Sequence, residues 1–209
     1  MKLGNDRQAG ADDVRLDDGA QLTIRPVRPD DKPLLADAFA QLSDESRYRR
    51  FFTPLRELGA EQLAYLTELD HRDHEALLAL DAPDGACVGV ARFVRVAPEV
   101  AEPAVVVADR WQHRGLGTAL LEKLADRARA EGITRFSAIV LAQNRDAIRL
   151  LERLGDATRE DDGDVLHFDI ALPATGGAGP TLRGLLRAAA TGLLAPTGAF
   201  LRRNFPAHE

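Results

Sequence analysis

Val105-Val106-Val107-Ala108-Asp109-Arg110-Trp111-Gln112-His113-Arg114-Gly115-Leu116-Gly117-Thr118 is the stretch on which the reading of this chain turns. The valines read as a short strand, the next residues bend away from it, and two glycines punctuate the start of a helix expected over 116–130. Leu116, Ala119, Leu120, Leu124 and Ala128 give that helix one apolar stripe, and Gly132 ends it. The first amides of a helix lack internal partners and sit at the positive end of its dipole, so a diphosphate binds there readily. Gly115 and Gly117 let such a ligand come close to the backbone, and Arg114 can add a charge-assisted contact. The spacing is neither the Gly-x-Gly-x-x-Gly of a dinucleotide fold nor the Gly-Lys-Ser/Thr of a P-loop.

Outward from this stretch, 14–16 and 21–27 form a hairpin around Asp17-Asp18-Gly19. Residues 27–33 are a helix-start signal, with Asp30 or Asp31 as cap and Pro33 in the first turn. Leu34, Leu35, Ala38, Phe39 and Leu42 continue it at helical spacing. A second short helix covers 43–52, broken by Thr53-Pro54, and Leu63, Leu66 and Leu69 mark a third over 60–69. Strands follow at 75–80 and 87–96, joined through Pro83-Asp84-Gly85. A loop or bulge over 98–103 leads into strand 104–108. After the helix at 116–130 come a strand at 136–141, a helix at 144–154 and a closing hairpin (158–160, 165–170) around Asp162-Gly163. This order describes an α/β fold, a mixed and mostly antiparallel central sheet flanked by helices. Residues 1–19 are expected to be a flexible N-terminus with one possible short strand, and 20–172 the folded domain. Residues 173–209 read as a linker and an amphipathic C-terminal tail, helical over 182–194. Docking of that helix on its own domain or on a second subunit is preferred to membrane contact.

Composition narrows the classes. Of 209 residues, 45% are hydrophobic and 29% charged, which excludes a disordered, collagenous or coiled-coil chain. Lys+Arg number 27 against 33 Asp+Glu, a net charge of −6, so no nucleic acid is expected as partner. Cys87 is the single cysteine and can form neither an intrachain disulfide nor a multi-cysteine zinc site. His71 and His74 lack further ligands at metal spacing and read as surface residues, so no metal is expected. There is no apolar run of membrane-spanning length, and the polar N-terminus excludes a secretory signal. A cytoplasmic address is the expectation.

Val105-x-Val107, a bend, then Gln112-x-x-Gly115-x-Gly117 resembles the acyl-CoA motif of the GNAT superfamily of N-acetyltransferases. The resemblance implies acetyl-CoA as co-substrate and a set of backbone contacts to it. Amides of Gln112, His113, Arg114, Gly115, Leu116, Gly117 and Thr118 would hold the pyrophosphate. Strand residues Val105, Val106 and Val107 would pair with the pantetheine arm. Asn144, opening the helix after strand 136–141, is similar to the family's asparagine that contacts that arm. Element order matches from about Gln21 to Leu172. The stretches IRPVRPDD (24–31), LSDESRYRRFF (42–52) and GVARF (89–93) further resemble bacterial protein lysine acetyltransferases of the Pat type. In those enzymes a regulatory or nucleotide-binding module is often attached, and its regulation is not carried over to this chain.

The implied reaction is direct transfer of an acetyl group to an amine, in first place a protein lysine. A lysine amine has a pKa near 10.4, so roughly one in 2,500 is neutral at pH 7 and a base must take its proton. In Ala101-Glu102-Pro103-Ala104, Glu102 matches the family's general-base glutamate. Pro103 removes a backbone donor, which leads one to expect a bulge or edge there. Amides near Val105 and Val107 would polarise the thioester carbonyl. Two departures stand out: Leu151 occupies the position of the family's tyrosine acid, so no general acid is named, and Asp156 stands where an aromatic is common. Tyr48, Phe51 and Phe52 lie where the family builds its acceptor pocket, although their spacing also suits a core. A small-molecule amine acceptor and a weakly catalytic acyl-CoA sensor are the alternatives. Either a monomer or a homodimer is compatible with the sequence.

Overall fold

The structure, a computed structural model, describes residues 10–51 and 55–173. The expected tail helix over 182–194 and Phe52 lie outside the described residues. Eight strands form one sheet: β1 (Asp12–Arg15), β2 (Gln21–Pro26), β3 (His74–Asp81), β4 (Cys87–Ala97), β5 (Val100–Val107), β6 (Arg135–Leu141), β7 (Asp156–Asp162) and β8 (Val165–Ala171), in the order β1-β2-β3-β4-β5-β6-β8-β7. Every pairing is antiparallel except β5 with β6, which is parallel. Helices α1 (Lys32–Ala40), α2 (Asp44–Phe51) and α3 (Ala60–Thr67) precede β3, α4 (Leu116–Ala130) joins β5 to β6, and α5 (Arg145–Leu154) joins β6 to β7.

Both faces of the sheet are covered, which is why β3 reads as an almost continuous apolar run. Leu77 and Ala79 turn to one face with Phe93, Val105, Leu120, Leu124, Phe136 and Leu151, the core under α4 and α5. Ala76 and Leu78 turn to the other with Val27, Leu35, Phe39, Phe51 and Leu66, the core under α1, α2 and α3. Leu116, Leu120, Leu121 and Leu124 of α4 are all but fully buried, each worth about 2 kcal/mol in removed apolar surface. The buried Glu75 carboxylate adds a polar tie, pairing with Arg127 of α4 at 3.1 Å and with the His71 ring at 2.8 Å. These contacts fix where α4 begins relative to the end of β5.

Three local expectations are corrected. Residues 100–103 are not a loop: β5 starts at Val100, and Glu102 and Pro103 lie inside it, opposite Val94 and Phe93. The irregularity falls instead in β4, between Arg95 and Ala97. Pro103 fits because Ala108 N donates to Val88 O, which makes 88/108 a hydrogen-bonded pair and, by alternation, 93/103 a non-bonded one. The missing N–H is on the side away from β4. Asp31 precedes α1 but makes no side-chain cap to it; its carboxylate is taken by Arg25 at 2.6 and 2.7 Å and by the Arg28 amide at 2.7 Å. Third, β7 begins at Asp156, directly after α5.

That last junction has a steric reason. Gly155 is extended, and a Cβ built there would lie 2.1 Å from the carbonyl oxygen of Ala171 on β8. Gly155→Ala must push α5 and the hairpin apart, so a loss of about 2 kcal/mol or more is expected in denaturant unfolding. Wild-type stability in that variant would show that the junction is not tightly packed.

Candidate active site

Pairing between β5 and β6 is limited to Val100 with Arg135 and Ala101 with Phe136. Beyond it the two parallel strands part, while β5 stays paired to β4 as far as Val107 and β6 to β8 as far as Leu141. The alternation that accommodates Pro103 also turns the N–H and C=O of Val105 and Val107 away from β4 and into this gap. Val106 points its backbone groups at Val90 instead, and is the exception among the valines expected to contact a ligand.

At the end of β5 the chain makes a single 3-10 turn over Asp109–Trp111. Gln112 is extended, His113 has φ 60° and Gly115 φ 86°, and α4 starts at Leu116. Two left-handed residues around Arg114 curl the main chain so that successive amides face one side, the arrangement that makes an anion cradle. A Cβ at Gly115 would meet nothing within 4 Å, so glycine is required by the backbone angle rather than by crowding inside the protein. The side chains point elsewhere. Leu116 is wholly buried in the α4 core and His113 is exposed. Arg114 stacks on Trp111 at 4.0 Å and pairs with Asp18 at 2.5 Å. Gln112 folds inward, its Nε2 donating to Val107 O at 3.2 Å and to Asp109 Oδ1 at 3.1 Å. Gly117 and Thr118, in the first turn of α4, are both buried, and the amides of a first turn have no partner within the helix.

Asp109 fastens the turn to α2. Its carboxylate accepts from Ser43 N (2.8 Å), Ser43 Oγ (3.2 Å) and Ser46 Oγ (2.5 Å). Burial pushes the Asp109 carboxyl up, but the bonds from Ser46 and Ser43 outweigh it and hold the group below the usual carboxylate range.

Glu102 is 8% exposed. Alternation along β5 puts its side chain on the α1–α3 face with Ala104 and Val106, and Arg92 on β4 is its diagonal neighbour across the pair. Tyr65 of α3 stands against the same group: burial pushes its phenol up to about 12, and the charge of Glu102 adds to that. The His74 ring stacks on Tyr65 at 4.8 Å, and burial, reinforced by Arg92, pushes it down to about 3, so it is neutral at physiological pH. Asn144 is 2% exposed at the end of β6 and caps α5 by accepting from Ala147 N at 3.2 Å. Leu151, at the expected tyrosine position, is fully buried in the opposite core and supplies no proton.

Phe51 is in the α1–α3 core, edge-on to Phe39 at 5.6 Å, whereas Tyr48 is 46% exposed. His71 and His74 are not simple surface residues, since one bonds Glu75 and the other packs on Tyr65. No group of three or more His, Cys, Asp or Glu among the described residues could hold a metal ion. Missed from sequence were Tyr65, Arg50 and Arg92. Arg92 had left a signal, a charge in the middle of an apolar run of β4.

Comparison with known proteins bears on the family and the fold. The model of the acetyltransferase (GNAT) family matches residues 37–156. The acetyltransferase Pat of Mycolicibacterium smegmatis is 32% identical over 162 residues, 77% of this chain and 48% of that protein, so the chain spans about half its length. An acetyltransferase of Pseudomonas aeruginosa is 32% identical over 158 residues, covering 73% of this chain and 85% of its own. The crystal structure of the GNAT domain of Streptomyces lividans PAT superposes with a TM-score of 0.72 at 33% identity, over 78% of this chain and 97% of that one.

The Asp109 bridge gives a testable consequence. A carboxyl held low in the folded state contributes stability that is present above its unfolded pKa, near 3.9, and is lost as pH falls through the lower folded value. Asp109→Asn is therefore expected to cost about 1 kcal/mol at pH 7. Its gap to wild type in denaturant unfolding should close only below about pH 4. A gap independent of pH would contradict this account of the bridge.

Proposed function

The chain belongs to the acetyltransferase (GNAT) family, and we propose that it transfers the acetyl group of acetyl-CoA directly to the side-chain amine of a protein lysine. The single observation that carries this reading is Glu102, buried beside the strand edge that β6 leaves open. In the proposed complex the main-chain groups of Val105 and Val107 receive the pantetheine arm and orient the thioester. The amides from Gln112 to Thr118 take the pyrophosphate at the positive end of α4. Asn144, at the far side of the gap, borders the same arm.

The acceptor amine enters from the α1–α3 face. Glu102 removes its proton, directly or through one water, and the neutral nitrogen attacks the thioester carbonyl. An N–H of β5 aimed at the oxygen stabilises the charge that develops on it. As the carbon–sulfur bond breaks the nitrogen gives up its second proton, which reaches the departing thiolate through water, so the products are the amide and coenzyme A as the thiol. No side chain is assigned to protonate the thiolate, because Leu151 is aliphatic. The protein-lysine acceptor is supported by the likeness to Pat proteins. Residues 20–172 are the proposed catalytic unit. A cytoplasmic site of action goes with this reading, as does the buried, unpaired Cys87.

A small amine is the second reading, favoured by the charged cavity described in the next subsection. Glu102→Gln is expected to lower kcat by about 100-fold or more while leaving the KM for acetyl-CoA within about twofold, measured by thiol release with a lysine-containing peptide. Mass spectrometry of the peptide fixes the site of the added group. An unchanged kcat would remove Glu102 as the base.

A further inference from the structure

On the Glu102 face, beneath α1, α2 and α3, lies a cavity of about 60 Å³, several times the room a water needs. Its walls are mostly apolar, with Phe39, Phe51, Leu66 and Val106 among them, but two arginines, Arg50 of α2 and Arg92 of β4, also line it. They are 4% and 3% exposed. Arg92 Nη2 donates to Leu66 O at 3.0 Å, whereas Arg92 Nε and Nη1 and Arg50 Nη1 have no hydrogen-bond partner among the described residues. Neither guanidinium makes an ion pair with a carboxylate of the described residues. Arg50 stacks on Phe51 at 4.8 Å and Arg92 on Tyr65 at 5.7 Å. Burial pushes Arg50 down to about 9, with the charge of Arg92 adding to it, and pushes Arg92 down to about 10, so both remain cations at neutral pH.

The other buried ion pairs of the described chain show how unusual this is. Arg25 has Asp31 at 2.6 Å, and Glu75 has Arg127 and His71. Burying one unpaired ion costs several kcal/mol, and two like charges facing one cavity compound it. A planar, acceptor-rich anion relieves both at once, and guanidinium forks match a carboxylate in geometry as well as charge.

Position says whose carboxylate. Arg92 is the diagonal cross-strand neighbour of Glu102, about 7–8 Å away by backbone spacing, so an anion held here is a few bonds from the reacting nitrogen and carbonyl. Resting on the transferase reading of the Glu102 site, we infer that Arg50 and Arg92 form a subsite for a carboxylate carried by one of the two reactants. The substrate class is then either an amine that bears a carboxylate, as an amino acid does, in place of the protein lysine, or an acyl donor whose chain ends in one, in place of acetyl-CoA.

Two matched pairs separate these sources: lysine against cadaverine as acceptor with acetyl-CoA, and succinyl-CoA against acetyl-CoA as donor with a fixed amine. In one pair, wild type is expected to favour the carboxylate-bearing member by at least about tenfold in kcat/KM, and the pair that shows it identifies the source. Arg92→Gln and Arg50→Gln should lower kcat/KM on that member until the ratio is near one. Ratios near one for both pairs in wild type overturn the subsite, whether or not the variants fold. So does a variant that keeps the wild-type ratio. A binding arm needs no turnover: propionate, but not propionamide, should raise the thermal midpoint of wild type and not of Arg92→Gln. Absence of that shift counts against the subsite, whereas absence of any thiol release with the shift intact counts against the transferase reading alone.

Discussion

A strand that loses its neighbour halfway along its length is the constraint around which this molecule is arranged. β5 is paired on both sides only at Val100 and Ala101; from there to Val107 it has β4 on one side and the gap on the other. Backbone groups left inside a protein without partners cost on the order of 1–3 kcal/mol each, and the chain limits that cost locally. Pro103 stands at one of the gap-facing positions and brings no N–H to it. The carbonyl of Val107 is met by the Gln112 amide. What remains is a short strand edge, which an extended, amide-bearing ligand can pair with as a strand would.

The sheet separates the two kinds of work such a site needs. Under α4 and α5 the packing is apolar and close, and its purpose is positional: it sets the first turn of α4 at the end of β5. Under α1, α2 and α3 the packing is looser and charged, with Glu102, Tyr65, Arg92 and Arg50 turned toward one region. Asp109 joins the two halves, because the same carboxylate that closes the turn before α4 also receives Ser43 and Ser46 at the start of α2. The placement of α2 is thereby tied to the turn proposed to hold the pyrophosphate.

Much of this was legible in the sequence, for physical reasons that differ by element. Gly115 announces a backbone angle that other residues reach only with strain, and α4 announces itself through leucines at helical spacing. Pro103 misled, because a proline normally ends pairing; only the register shows that its nitrogen falls at a non-bonded position. Asp31 looked like a helix cap, but a buried Arg25 from another element competes for it, and such competition is not visible in a one-dimensional pattern. Arg50 and Arg92 were passed over since arginines normally reach water. Their burial is a property of the assembled helices α1–α3, and Arg50 sits in a run of arginines that reads as a solvated face.

The central claim, that the open edge of β5 is where coenzyme A binds, is tested most directly by residue-resolved amide hydrogen exchange with and without saturating coenzyme A. Val105 and Val107 face the gap, while Val106 between them already pairs with Val90, so the strand carries its own control. Strong slowing at Val105 or Val107 and at the amides from Gly115 to Thr118, with Val106 little changed, is the result this account requires. Binding that leaves the gap-facing amides exchanging as fast as in the free protein would contradict it.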